Sequence, residues 1–89
     1  MLDVNTELKK LSDEWKIENN SKLTRKFEFK GFLKTMSFVN AVAWEANKLM
    51  HHPDMEVTFN TCTINITTHD ENNTLTEKDF ALALNIDRL

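Results

Sequence analysis

The chain has 89 residues, 40% of them hydrophobic and 28% charged, with a formal net charge of −3. That length supports one domain over residues 1–89 with a single modest core. Net negative charge excludes non-specific nucleic-acid binding, and no apolar run approaches the roughly 18 residues a membrane span needs. The nearest basic cluster, Lys22, Arg25 and Lys26, is diluted by Glu28 and reads as a solvated strand face. Cys62 is the lone cysteine, so no internal disulfide forms and a reducing compartment is expected. Charges from Asp3 to Glu14 do not read as a secretory signal, and the expected location is cytoplasmic.

Thr6 reads as the cap of a short helix in which Leu8, Leu11 and Trp15 recur at helical spacing. Trp15 to Glu18 then alternates with period two, Asn19-Asn20-Ser21 is turn-prone, and Leu23 to Lys30 alternates again, which makes a hairpin. From about Thr35 the period becomes helical, with Phe38, Val39, Val42, Ala43, Ala46, Leu49 and Met50 on one stripe. Trp44 lies off that stripe and suggests a second apolar face, and Pro53 stops the helix nearby. Met55, Val57 and Phe59 alternate, Asn60-Thr61 can turn, and Cys62, Ile64 and Ile66 alternate in the next strand. Asp70 to Asn73 is a polar loop. Thr76 to Asp79 resembles a capping box, with Leu75 and Phe80 at staple positions. The last helix should bury Phe80, Ala83, Leu84 and one of Leu82 or Ile86. The order α-β-β-α-β-β-α predicts an α+β fold, a four-stranded antiparallel sheet with three helices packed on one face. That face should hold Phe27, Phe29, Ile64 and Ile66.

His51, His52 and His69 are the whole histidine complement. Imidazole ordinarily titrates near about 6.5, so it donates and accepts protons at neutral pH. Two imidazoles at a helix end and a third at the far end of a strand point to acid–base work on a small molecule. Each residue also has a bland reading. His51 can interact with the carbonyl end of its helix, His52 can be a surface residue before Pro53, and His69 a polar strand end. Asp79 is explained by capping alone, and Phe59 reads as core on alternation. Zinc is the competing chemistry, since three histidines and Cys62 would fill four positions. Neither C-x-x-C nor H-E-x-x-H spacing occurs, however, and Cys62 shares strand parity with Ile64 and Ile66. By the same parity Cys62 and His69 fall on opposite faces, which disfavours a Cys–His nucleophile.

The run Asn47-x-x-x-His51-His52-Pro53, five residues, Phe59, nine residues, His69, then Asp79 resembles the signature of the pterin-4a-carbinolamine dehydratases. Trp15, Arg25-x-Phe27-x-Phe29, Phe38 and Val42-Ala43 also look like that family. The resemblance implies a hydro-lyase that turns 4a-hydroxytetrahydropterin into quinonoid dihydropterin without cofactor or metal. It implies His51, His52 and His69 as catalytic, with His51 and His69 exchanging protons and His52 mainly orienting substrate. It implies substrate binding by Asn47, Pro53, Phe59 and Asp79. A homodimer or homotetramer is expected, with a pterin as small-molecule partner. The alternative reading is a non-enzymatic pterin-binding or protein-binding module, because one branch of the family acts as a transcriptional coactivator. Asn47 stands where the family carries an acidic residue, and Met50 where it often carries Asp. Both changes remove carboxylates that could orient an imidazole.

Overall fold

A computed structural model describes residues 2–89. Asp3, not Thr6, caps the first helix, α1 (Val4–Leu8). The Asp3 carboxylate accepts the Thr6 hydroxyl at 2.9 Å and the Thr6 N–H at 3.4 Å. Those bonds, the hydroxyl's foremost, hold the exposed Asp3 carboxyl below the ordinary carboxylate range. The helix is short, and Leu11 and Trp15 reach the core from beyond it, where Lys10 and Leu11 bond back to the carbonyls of Glu7 and Leu8.

β1 (Lys16–Glu18) and β2 (Lys22–Glu28) form the expected hairpin, with Lys16 opposite Thr24. Its loop needs left-handed backbone at Asn19 and Asn20, each with φ of 54°, a conformation asparagine tolerates better than most residues. β3 (Asp54–Val57) and β4 (Thr61–Ile66) pair antiparallel, and β4 also pairs with β2, giving the order β1-β2-β4-β3. On β4 the alternation is complete. Cys62, Ile64 and Ile66 are fully buried, and burial of each isoleucine contributes about 1.5–3 kcal/mol. Burial also pushes the Cys62 thiol up.

The long helix α2 (Phe32–Leu49) lies over this face and packs against α3 (Glu77–Asp87). Thr35, Val42 and Ala46 are its buried residues, and Phe38 and Val39 are half-buried. Phe38 stacks on Phe27 and Phe29 of the β2 segment, with ring centroids 4.5 and 5.0 Å apart. The apolar stripe is narrower than its sequence suggests, because Ala43, Leu49 and Met50 near the helix's end are exposed. In α3, Leu82 and Ile86 are both fully buried with Phe80 and Ala83, whereas Leu84 is only half-buried.

Two further expectations are corrected. Phe59 is 67% exposed, because β3 ends at Val57 and the chain turns before the alternation can continue. The Thr58 hydroxyl closes that turn by accepting the N–H groups of Asn60 and Thr61. Arg25 is not on a solvated face. Strand parity puts it beside Leu23 and Phe27, and its guanidinium carbon stands 4.2 Å from the Phe27 ring centroid. Its Nη1 donates to Asp87 at 2.8 Å. No described helix is long and apolar enough to cross a membrane.

Candidate active site

The end of α2 sets the position of His51. Met50 takes left-handed backbone, φ 51° and ψ 39°, and reverses the chain just past the last helical turn. The Met50 N–H bonds to Asn47 O, and the His51 N–H to Ala46 O, both at 3.1 Å. This paired arrangement is a Schellman stop, and it ends the helix three residues ahead of Pro53. It delivers the His51 ring against the start of α3. There Thr76 and Asp79 form the predicted capping box, with the Asp79 carboxylate accepting the Thr76 N–H at 2.8 Å.

Asp79 does more than cap. Its side chain is fully buried, and its Oδ1 lies 2.6 Å from Nε2 of His51. A carboxylate oxygen accepts, so Nε2 carries a hydrogen and, in the neutral ring, Nδ1 is the acceptor nitrogen. Among the described residues Nδ1 has no hydrogen-bond partner, and Arg25 Nε is the sole enclosed side-chain nitrogen or oxygen without one. The bare Nδ1 therefore reaches solvent. His51 thus offers a lone pair outward with a carboxylate behind it, the arrangement of an oriented general base.

His69 has the opposite tautomer. It opens a short 3-10 turn, His69–Glu71, and its Nδ1 donates to Asn73 Oδ1 at 2.7 Å. Left-handed backbone at Asn72 and Asn73 folds the loop back to make that contact. Nε2 is left facing outward, 3.7 Å from Asp54 Oδ2, in a pair that is mostly exposed and so strongly screened. His52 is exposed and has no hydrogen-bond partner among the described residues.

These three imidazoles line one cleft of about 180 Å³ together with Met50, Thr67, Thr68, Asp70 and Lys78. A second hollow of about 360 Å³, walled by Leu2, Leu75 and Thr76, shares Thr68 and Lys78 with it. The histidine cleft alone is smaller than the roughly 300–1,000 Å³ usual for ligand pockets.

The other predicted site residues are placed differently. Pro53 is half-buried between His52 and β3. Asp79 lies beneath His51 with no surface of its own, so in this chain it can act on a ligand only through the imidazole. Asn47 is on the exposed side of α2, lining a separate hollow with Asn40, Ala43 and Trp44. Phe59 lies beside the start of α2, where the Thr35 hydroxyl bonds to Phe59 O at 3.0 Å. The 18 residues of α2, about 27 Å of helix, separate that end from the histidines. Cys62 is buried on the inner face of β4, and no three His, Cys, Asp or Glu side chains gather as a metal site among the described residues.

Sequence reasoning missed Thr68, Asn73, Asp54 and Lys78. For Thr68 a signal existed, because it continues the inward parity of Cys62, Ile64 and Ile66 and is 3% exposed. Asn73 carries no periodic signal, since loop geometry brings it to His69, and Asp54 is brought there from the first position of β3 by the pairing of β3 with β4.

Residues 2–89 match the model of the pterin 4 alpha carbinolamine dehydratase family. The chain belongs to that family. Relatives provisionally named pterin-4-alpha-carbinolamine dehydratases include one from Legionella pneumophila, 47% identical over 92% of this chain and 73% of the relative. Another, from Nitrosomonas eutropha, is 44% identical over 92% of this chain and 71% of its own length. Among solved structures, a transcriptional coactivator/pterin dehydratase from Brucella melitensis superposes with a TM-score of 0.86 at 32% identity, covering 96% of this chain and 89% of that one. A pterin dehydratase-like protein identified as a RuBisCO assembly factor of the alpha-carboxysome shares the fold, with a TM-score of 0.70 at 19% identity. It covers 84% of this chain and 87% of that one. The family's fold is therefore present in this chain.

Proposed function

We propose that this chain dehydrates 4a-hydroxytetrahydropterin to quinonoid dihydropterin. In that step the C4a–O bond breaks, the hydroxyl takes a proton and leaves as water, and N5 gives up its proton as N5–C4a becomes a double bond. His51 takes the N5 proton at its bare Nδ1, and the imidazolium so formed faces Asp79 at 2.6 Å. His69, whose Nδ1 hydrogen is held by Asn73, takes up a second proton on Nε2 from solvent and, as that imidazolium, protonates the departing hydroxyl from Nε2. One proton is taken and one is given, so the enzyme is reset by passing a proton between the two rings through solvent. His52 orients the substrate, Pro53 fixes the backbone beside it, and no substrate contact is assigned to Asn47 or Phe59 within one chain.

The observation that carries this reading is the meeting of three imidazoles at one cleft, two of them held from behind by a hydrogen bond and presenting their other nitrogen outward. A homo-oligomer belongs to the same proposal. Leu33 and Trp44, 80% and 70% exposed, fall on one outer face of α2 by helical periodicity, with the polar Ser37 and Asn40 between them, and leave two apolar anchors for a second copy. Those two anchors also favour a second reading, a protein-binding module without chemistry. The decay of a 4a-hydroxytetrahydropterin, followed by absorbance, separates the two. The wild type should accelerate it, and His51→Ala should lose at least about 100-fold of the acceleration. Decay that neither protein changes would reject catalysis and leave the binding module.

A further inference from the structure

Behind the His51–Asp79 pair lies a chain of hydroxyl groups whose hydrogens can be assigned one by one. Asp79 Oδ2 lies 2.9 Å from the Thr68 hydroxyl. A carboxylate oxygen only accepts, so Thr68 donates there and spends its one hydrogen. Thr68 Oγ1 is also 2.7 Å from the Thr76 hydroxyl, and with its own hydrogen committed it can only accept from Thr76. The Thr76 oxygen in turn accepts the Lys78 N–H at 3.3 Å. Every hydrogen in this path therefore points one way, from Thr76 to Thr68 to Asp79. Thr68 is 3% exposed and Asp79 fully buried, so the bond between them is shielded from bulk water.

We propose that Thr68 is a positioning residue: its hydroxyl, aligned by Thr76, locks the Asp79 carboxylate in the orientation that keeps the His51 hydrogen on Nε2 and Nδ1 bare. The Thr76 N–H alone cannot do this. It holds Oδ2 at a single point, about which the carboxylate can swing Oδ1 away from the imidazole. The second donor, arriving from β4's extension rather than from α3, removes that freedom. A strand-end hydroxyl thereby fixes the tautomer of a histidine at a helix end, 17 positions earlier in the chain.

This inference deepens the proposed dehydratase reading, and its first test does not depend on it. The ring ¹⁵N signals of His51 in the ligand-free protein report its tautomer. The wild type should show the Nε2–H form alone. Thr68→Val, which keeps the side-chain shape and removes the hydroxyl, should give a mixture of both neutral tautomers, and Thr68→Ser should restore the single form. With the carbinolamine as substrate, Thr68→Val should lower kcat about tenfold with KM unchanged, and Thr68→Ser should recover it. Should Thr68→Val fail to fold, Thr68→Ala is read in the same way. A single Nε2–H tautomer in a folded hydroxyl-free variant would overturn the proposal, as would a serine variant that behaves like the valine one. If the wild type lacks dehydratase activity while the tautomer still responds, the functional reading fails and the positioning role stands.

Discussion

The two ends of α3 each carry a carboxylate that ties distant segments together, and they differ in what they hold. At the N-terminal end, Asp79 accepts hydrogens from His51, Thr68 and the Thr76 backbone, where the helix dipole favours negative charge. At the C-terminal end, Asp87 sits against the dipole and accepts from the Ser12 N–H at 2.8 Å, the Trp15 indole at 2.7 Å and Arg25 at 2.8 Å. The partners of Asp87 are an amide, an indole and a guanidinium, none of which changes its charge near neutral pH. One partner of Asp79 is an imidazole with its other nitrogen open to a cleft. Equal satisfaction of two carboxylates therefore serves two ends, anchoring at one and proton chemistry at the other. The chemistry of the partner, not the degree of burial, tells them apart.

Exchanging each carboxylate for an amide should separate those roles. Asp79→Asn keeps an oxygen for the cap but turns an N–H donor toward His51. Dehydration should fall by at least about 100-fold, with a smaller loss in Tm. Asp87→Asn should do the reverse, leaving the half-buried Arg25 without its counter-charge. Stability should drop by about 2–3 kcal/mol, some 10–20 °C in Tm, while activity per folded molecule stays near wild type. If both variants lost activity and stability in the same proportion, the division of labour between the two ends would be wrong.

Strain sharpens the contrast further. Met50 holds left-handed backbone at the histidine end and is 74% exposed, so its side chain gains little from the position. Met50→Gly should relieve that cost and stabilise the protein by about 0.5–1 kcal/mol, a rise of a few degrees in a thermal melt. A fall in Tm would mean that the Met50 side chain makes contacts that outweigh the backbone strain.

Much of this was legible in the sequence because it depends on local periodicity. Strict alternation at Cys62, Ile64 and Ile66 gives β4, and Thr76 with Asp79 gives the start of α3. The three-histidine spacing points to the cleft before any fold is known. What stays hidden is non-local or set by loop shape. Asp79 satisfies a capping box, so nothing local reveals that its other oxygen meets His51. Arg25 and Asp87 lie in different elements and carry charges that usually face water. Phe59 fits the alternation of Met55 and Val57, yet a hydroxyl-closed turn at Thr58 carries it out of register. Thr6 and Asp3 are both competent caps, and only the observed bonds choose between them.

The most direct test of the site is a crystal structure of the protein soaked with a non-reactive reduced pterin. The ring should lie in the cleft between β4's end and the α2 stop, with His51 Nδ1 and His69 Nε2 each within about 2.6–3.2 Å of a ring nitrogen or oxygen. A pterin bound instead in the hollow beside Trp44 and Asn47, or out of reach of both imidazoles, would contradict it.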